Sequence, residues 1–210
     1  CTFSPLCPDE LPVKEGDEIV GQLNEQAEFA SKRIGSRDAH SPRAVWISNE
    51  SHKPLESLGL KDADVYWPSH AVVGTKGFEF LPGLDPSAYD FQVYKGIEVD
   101  KHPYGACYHD LSDTLSTGVI EYLRCNEIRQ VLVGGLATEF CVKNTALQLK
   151  RAGFDVILNL AACRGITESG VADALKEMKA AGINIVSSYK DLKQNPQDTY
   201  KSSPKTRCWV

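Results

Sequence analysis

A chain of 210 residues is long enough for one sizeable hydrophobic core and short for two, so a single domain over 1–210 is expected. With 42% hydrophobic and 24% charged residues the composition is that of a globular protein, and a net charge of -5 argues against a nucleic-acid surface. No apolar run approaches the roughly 18 residues that mark a membrane span, so no membrane partner is expected. The seven cysteines, odd in number and without CxxC pairs, fit reduced thiols in a cytoplasmic setting better than a disulfide framework or a structural zinc knot.

The chain opens on Cys1 and a Pro-rich loop, CTFSPLCPDELPV, with no strand ahead of it, so a preceding N-terminal piece is expected, which leaves open a targeting peptide on it. Glu15 to about Lys32 carries Ile19, Val20, Leu23 and Ala27 at helical spacing. Arg33 to Arg37 reads as a short strand that ends in Asp38-Ala39-His40. Residues Ser41 to Lys76, with Trp46, His52, Trp67 and His70, read as a long irregular excursion, a length uncommon unless functional or disordered. Tyr89 to Tyr94 alternates as a strand does, and Lys95-Gly96 follows.

After a loop through Tyr104–His109, Leu115, Val119 and Leu123 mark a helix. Val131 to Val133 form a buried-strand run that stops at Gly134-Gly135. From Cys141 the period changes to Val142, Ala146 and Leu149, a helix face that Gly153 can end in a left-handed cap. A strand at Val156–Leu160, a helix through Val171, Leu175 and Met178 to Gly182, and a strand at Ile183–Val186 complete the pattern. The tail 193–210 is polar and expected to be peripheral. Short apolar strands alternating with amphipathic helices imply an α/β fold with a parallel sheet covered on both faces, its sites beyond the strand carboxyl ends. Asp38, Lys95 and Cys141 all follow strands and belong on that one edge.

A cysteine between a strand and a helix is by default a small core residue. The unpaired amides of a helix's first turn and a nearby Lys95 would instead favour a thiolate at neutral pH, the nucleophile for acyl transfer. The amides of Ala137 and Cys141 would then form an oxyanion hole. Asp38, His40 and His70 supply one carboxylate and two imidazoles, a metal set that leaves positions open for water or substrate. Against these stand a solvated surface Lys95 and histidines satisfied by ordinary packing.

Several separated motifs now converge. GLATEFCVKNTAL at 135–147, WPSHAVVGTKGFEF at 67–80, SRDAH at 36–40, VYKGIEVDKHPYGA at 93–106 and AACRGI at 161–166 occur in the order found in nicotinamidases. The chain resembles that family within the isochorismatase-like cysteine hydrolases, from Phe3 to about Ser187. The resemblance implies a three-layer α/β/α fold with a mainly parallel six-stranded sheet, its first strand lying ahead of Cys1. It also implies hydrolysis of nicotinamide to nicotinate and ammonia through a Cys141 thioester, in NAD salvage, with Lys95 in a Cys-Asp-Lys triad. Asp38, His40 and His70 match the ligands of one divalent metal, zinc ahead of iron or manganese. Phe3 and Trp67 match aromatic residues that flank the substrate ring, Leu11 and Tyr104 the pocket wall, and Leu136-Ala137 a cis peptide.

The pattern departs in three places. The triad aspartate is expected upstream of Cys1, and Asp9 is not its counterpart. Ala44 stands where many members have a second histidine, and His52 has the wrong spacing to replace it. Ala39 takes the place of the usual aromatic residue. The partner implied is a small molecule, nicotinamide or a pyrazinamide-like analogue, and a homo-oligomer stays open. Two other readings remain at this stage, a carbamoyl or ureido amidohydrolase of the same superfamily and a non-catalytic homologue that only binds ligand.

Overall fold

The computed structural model describes residues 1–191 and 207–209. A 3-10 turn at Gly16–Ile19 leads into helix α1, Val20–Ala27. The helix is shorter than its apolar spacing suggests, because Glu28, Phe29 and Ala30 bond three residues back and turn the chain towards strand β1, Lys32–Asp38. The excursion that follows is mostly irregular, as expected, but contains a small antiparallel pair, β2 at Ser57–Leu60 and β3 at Ala63–Val65. Strand β4 covers Phe91–Lys95, so Lys95 ends the strand and does not follow it. Helix α2, Val119–Cys125, precedes β5, Gln130–Leu136, which runs on through the two glycines that were expected to stop it.

A π turn, Thr138–Val142, joins β5 to α3, Lys143–Arg151. Gly153 follows with a φ of 93°, the left-handed conformation that ends such a helix. Strand β6, Asp155–Arg164, is twice the expected length because its register against β5 shifts between Val133 and Gly135. Helix α4, Glu168–Ala180, and strand β7, Asn184–Val186, follow.

The six-stranded sheet has the order β4-β1-β8-β5-β6-β7, where β8 is Arg207–Trp209, and its described pairings are all parallel. This corrects the expectation for the tail. Its residues 207–209 pair with β1 on one side and β5 on the other, so they lie in the middle of the sheet and not at its periphery. Three residues are too few to show a period, which is why the segment reads as polar tail. The rest of that tail, 193–206 and 210, is outside the described residues.

Strand alternation divides the core into two layers. Val131 and Val133 of β5, with Val156 and Leu158 of β6, pack beside Leu123, Ala146, Leu149 and Met178 from α2, α3 and α4. Leu132 and Ile157 point to the other face, where Ile19 and Leu23 cover them. The sheet is thus buried on both faces, as a parallel sheet must be. A third cluster, built on Trp46, Ala63 and Trp67, sits under the long excursion and gives it a core of its own.

Candidate active site

The ladder between β1 and β4 pairs Asp38 with Lys95 directly, so the two strand ends present a carboxylate and an ammonium side by side. Both are buried, and Lys95 Nζ donates to Asp38 Oδ1. The same ammonium reaches Cys141 Sγ at 3.5 Å. Cys141 is carried there by the π turn after β5, and the Ala137 amide donates to its sulfur. The peptide Leu136-Ala137 is cis, as the resemblance implied. The sheet edge therefore brings Cys141, Lys95, Asp38 and Ala137 together.

The electrostatics revise one expectation. Burial pushes the Cys141 thiol up to about 11, against the pull of Lys95, so the resting group is a thiol and not a thiolate. The reason lies in the partner of the lysine. For Asp38, burial acts to raise the pKa, yet Lys95, with His40 and His70 behind it, holds the carboxyl well below the usual range. For Lys95, burial acts to lower it, while Asp38 and then Cys141 raise it well above the ordinary lysine value. The ammonium is shared with a carboxylate, and less of its field is left for sulfur.

Beside this row lies a cage of imidazoles. The donor atoms of His40, His70 and His102 lie within 4.8 Å of one another, and all three residues are buried. His40 Nδ1 donates to the Gly96 carbonyl at 2.9 Å and His70 Nδ1 to the Pro68 carbonyl at 2.7 Å. Each Nε2 is left as a lone pair with no partner among the described residues. Gly96 is required here, since a Cβ would stand 2.3 Å from the His40 ring. Burial lowers the pKa of each imidazole, that of His70 to about 4, which favours the neutral form with its free lone pair. Neutral imidazoles oriented by carbonyls, with free nitrogens facing one another, fit a divalent metal. Asp38 borders the cage, with Oδ2 3.9 Å from His40 Nε2.

Residue by residue, the expected site holds together with additions. Phe3, Leu11, Trp67 and Tyr104 line one pocket with His70, Ala137 and Cys141. Trp67 stacks on His102 at 5.6 Å, and its Nε1 donates to the Tyr104 hydroxyl, which in turn donates to Asp64. Burial, then the Asp64 charge, raise the Tyr104 pKa, so this hydroxyl stays protonated. His52 is half-buried and stacks on Tyr66, apart from the cage, and the third imidazole comes from His102. Sequence reasoning missed His102, although it lies seven residues beyond Lys95 on a loop already tied to the site. It also missed Phe140, which meets Trp67 edge-on at 5.0 Å, and Ile166 in the pocket wall. Glu139 was missed as well. Its Oε1 accepts from the amides of Ile166 and Thr167, which fastens the nucleophile turn to the start of α4.

With this geometry in view, residues 13–190 match the Isochorismatase domain. The chain belongs to the isochorismatase family. It is 31% identical over 182 residues to a nicotinamidase of Acinetobacter baylyi, covering 85% of each chain. Among solved structures it resembles a nicotinamidase and pyrazinamidase of Acinetobacter baumanii, at 28% identity and a TM-score of 0.83 over 91% of this chain and 92% of that one. A pyrazinamidase of Pyrococcus horikoshii in complex with zinc is similar at 32% identity, with a TM-score of 0.71 over 88% and 92%.

Proposed function

We propose that this chain is an amidohydrolase that converts nicotinamide to nicotinate and ammonia through an acyl-cysteine. The observation that carries the reading is one cysteine that receives an amide from Ala137 and an ammonium from Lys95, at the floor of an aromatic pocket walled by imidazoles. The nicotinamidase relatives support the choice of substrate.

The pocket seats a flat ring between aromatic walls, Phe3, Trp67 and Phe140 among them, with the carboxamide over Cys141. The metal, zinc by the donor set and by the zinc in the Pyrococcus relative, would be held by the imidazole cage and would take the lone pair of the ring nitrogen. Sulfur attacks the carboxamide carbon as its proton passes to Lys95, which in the same step gives one of its own protons to the amide nitrogen, so the ammonium is kept. Lys95 lies against that sulfur and stabilises the charge as it develops, so a resting thiol is no obstacle. The oxyanion falls to the amides of Ala137 and Cys141, each such donor being typically worth about 3 kcal/mol in the barrier.

The carbon–nitrogen bond then breaks, and the nitrogen that took the proton departs as ammonia. Lys95 is placed for both transfers, with Asp38 holding Nζ in line. Water attacks the thioester, its oxygen joins the acyl carbon, and a proton returns to sulfur. Nicotinate leaves.

The test is ammonia release from nicotinamide and from benzamide, which has the same ring size and no ring nitrogen. The reading expects turnover of nicotinamide, a loss of it in chelator, and little activity on benzamide. Equal rates on the two amides, untouched by chelator, would remove the ring-nitrogen anchor from the scheme.

A further inference from the structure

The loop ahead of the 3-10 turn puts Phe3 and Leu11 into the pocket wall, and one carboxylate ties that wall down. Glu10 Oε2 accepts from Thr2 Oγ1 at 2.6 Å and from the Ala71 amide at 2.9 Å. Each residue of this trio stands one position from a group that faces the pocket. Thr2 precedes Phe3, Glu10 precedes Leu11, and Ala71 follows His70, whose ring lies 5.9 Å from that of Phe3. Thr2 and Ala71 are both buried, which shields the bonds on that side. Gly77 keeps room for the carboxylate, since a Cβ there would stand 2.1 Å from either of its oxygens, and the Gly77 carbonyl accepts from the Thr2 amide at 3.0 Å. Ala71 has a φ of 46°, a left-handed conformation that a residue with a side chain rarely adopts. The Glu10 bond to its amide and the bond from the His40 amide to its carbonyl, at 3.0 Å, hold it there.

The facing walls are anchored by regular structure or by a core of their own, Ala137 and Cys141 at the end of β5 and Trp67 in the cluster with Trp46. Phe3 and Leu11 are half-buried and stand on a stretch with neither helix nor strand. The space between the walls is about 10 Å³, room for about one water molecule, so a flat ring enters only when a wall gives way. We propose that Glu10 is a positioning residue, a latch that holds Phe3 and Leu11 against the substrate through its bonds to Thr2 and to the amide after His70. Opening it lets the ring in, and closing it sets the two side chains back over the ring. The inference rests on the amidohydrolase reading for its substrate, but the exposure of Cys141 reports the latch whether or not the chain turns nicotinamide over.

The experiment takes the full chain with zinc supplied and measures steady-state kinetics on nicotinamide and, at a fixed pH, the rate at which iodoacetamide alkylates Cys141, read from the mass of its peptide. Glu10→Ala should raise KM about tenfold with kcat near native, and should speed alkylation about tenfold, because a wall that no longer closes on the ring no longer screens the sulfur. Glu10→Gln keeps an oxygen that can accept from both Thr2 and Ala71, so KM and alkylation should stay within about threefold of native. A residue that only stabilises the fold would lower the melting temperature and leave KM and alkylation unchanged. Native KM and native alkylation in Glu10→Ala overturn the proposal, as does a Glu10→Gln protein that loses as much as Glu10→Ala. If the native chain released no ammonia from nicotinamide, the amidohydrolase reading would fail and the alkylation ratio alone would decide the latch. Should Glu10→Ala fail to fold, Thr2→Val removes one of the two bonds, and a rise of about threefold in both KM and alkylation is the result expected in its place.

Discussion

Two clusters meet beyond the carboxyl ends of β1, β4 and β5, and they are built on opposite terms. Cys141, Lys95 and Asp38 form a charged row whose members satisfy one another, with the ammonium between a carboxylate and a sulfur. His40, His70 and His102 form a cage in which Nε2 of His40, Nε2 of His70 and both ring nitrogens of His102 have no hydrogen-bond partner among the described residues. Burial acts on both, but only the row offsets it internally. A self-satisfied group can be assembled by folding alone. An unsatisfied one acquires its purpose from what it receives.

The sharpest way to break this contrast is at the nucleophile. Cys141→Ala should lower ammonia release from nicotinamide by about 1000-fold or more, with the cage and its cobalt affinity left close to native. Retention of near-native turnover would place the chemistry elsewhere. Next in size is the link inside the row. Lys95→Met leaves the Asp38 carboxylate buried and unpaired, so it should destabilise the fold by about 3–5 kcal/mol and cut turnover roughly 100-fold. Adding Asp38→Asn should restore most of the stability and little of the rate, a split readable by denaturant unfolding beside kinetics. If the two substitutions were simply additive in stability, the row would not be the coupled unit described here.

The same contrast explains what was legible in the sequence. Cys141, Lys95 and Asp38 each end or follow a strand, and strand ends can be read from the apolar runs of β1, β4 and β5. Their convergence on one edge then follows from parallel topology. What could not be read was partnership. Asp38 is read beside His40 from the sequence, and only the register between β1 and β4 shows that it also stands opposite Lys95. His102 sits in an irregular loop where no period operates, and its nearness to His40 is purely tertiary. β8 was illegible for a different reason, since a three-residue strand has no pattern and its role comes from the two neighbours that hydrogen-bond to it. The helices facing β5 and β6 were the easiest part, because Ala146, Leu149 and Met178 repeat at helical spacing against an apolar sheet.

A smaller effect tests how the row is held at rest. Burial raises the Cys141 thiol to about 11, so the thiolate fraction is small at neutral pH and grows with every unit of pH up to that value. Alkylation of Cys141 in the metal-free protein, followed by mass analysis of its peptide, should therefore accelerate about tenfold per unit between pH 7 and pH 10. The sign is fixed by the neutral form being the favoured one in the fold. A plateau near pH 7 would mean that Lys95 stabilises a thiolate and that Asp38 does not hold it back.

The smallest expected effect lies at the rim, where the cage meets the pocket wall. The Tyr104 hydroxyl accepts from Trp67 and donates to Asp64, so it fixes the edge of the indole whose face covers His102. Tyr104→Phe removes both bonds and leaves the ring in place. Trp67 is almost wholly buried and still packed against Phe140, so the indole should loosen and not leave. A hydrogen bond of this kind contributes about 1 kcal/mol, which corresponds to a rise of about fivefold in KM for nicotinamide. The turnover number should hold, because neither Cys141 nor Lys95 touches the phenol through any hydrogen bond. A fall in kcat with KM unchanged would instead connect Tyr104 to the chemical step, and the wall and the row would have to be treated as one unit.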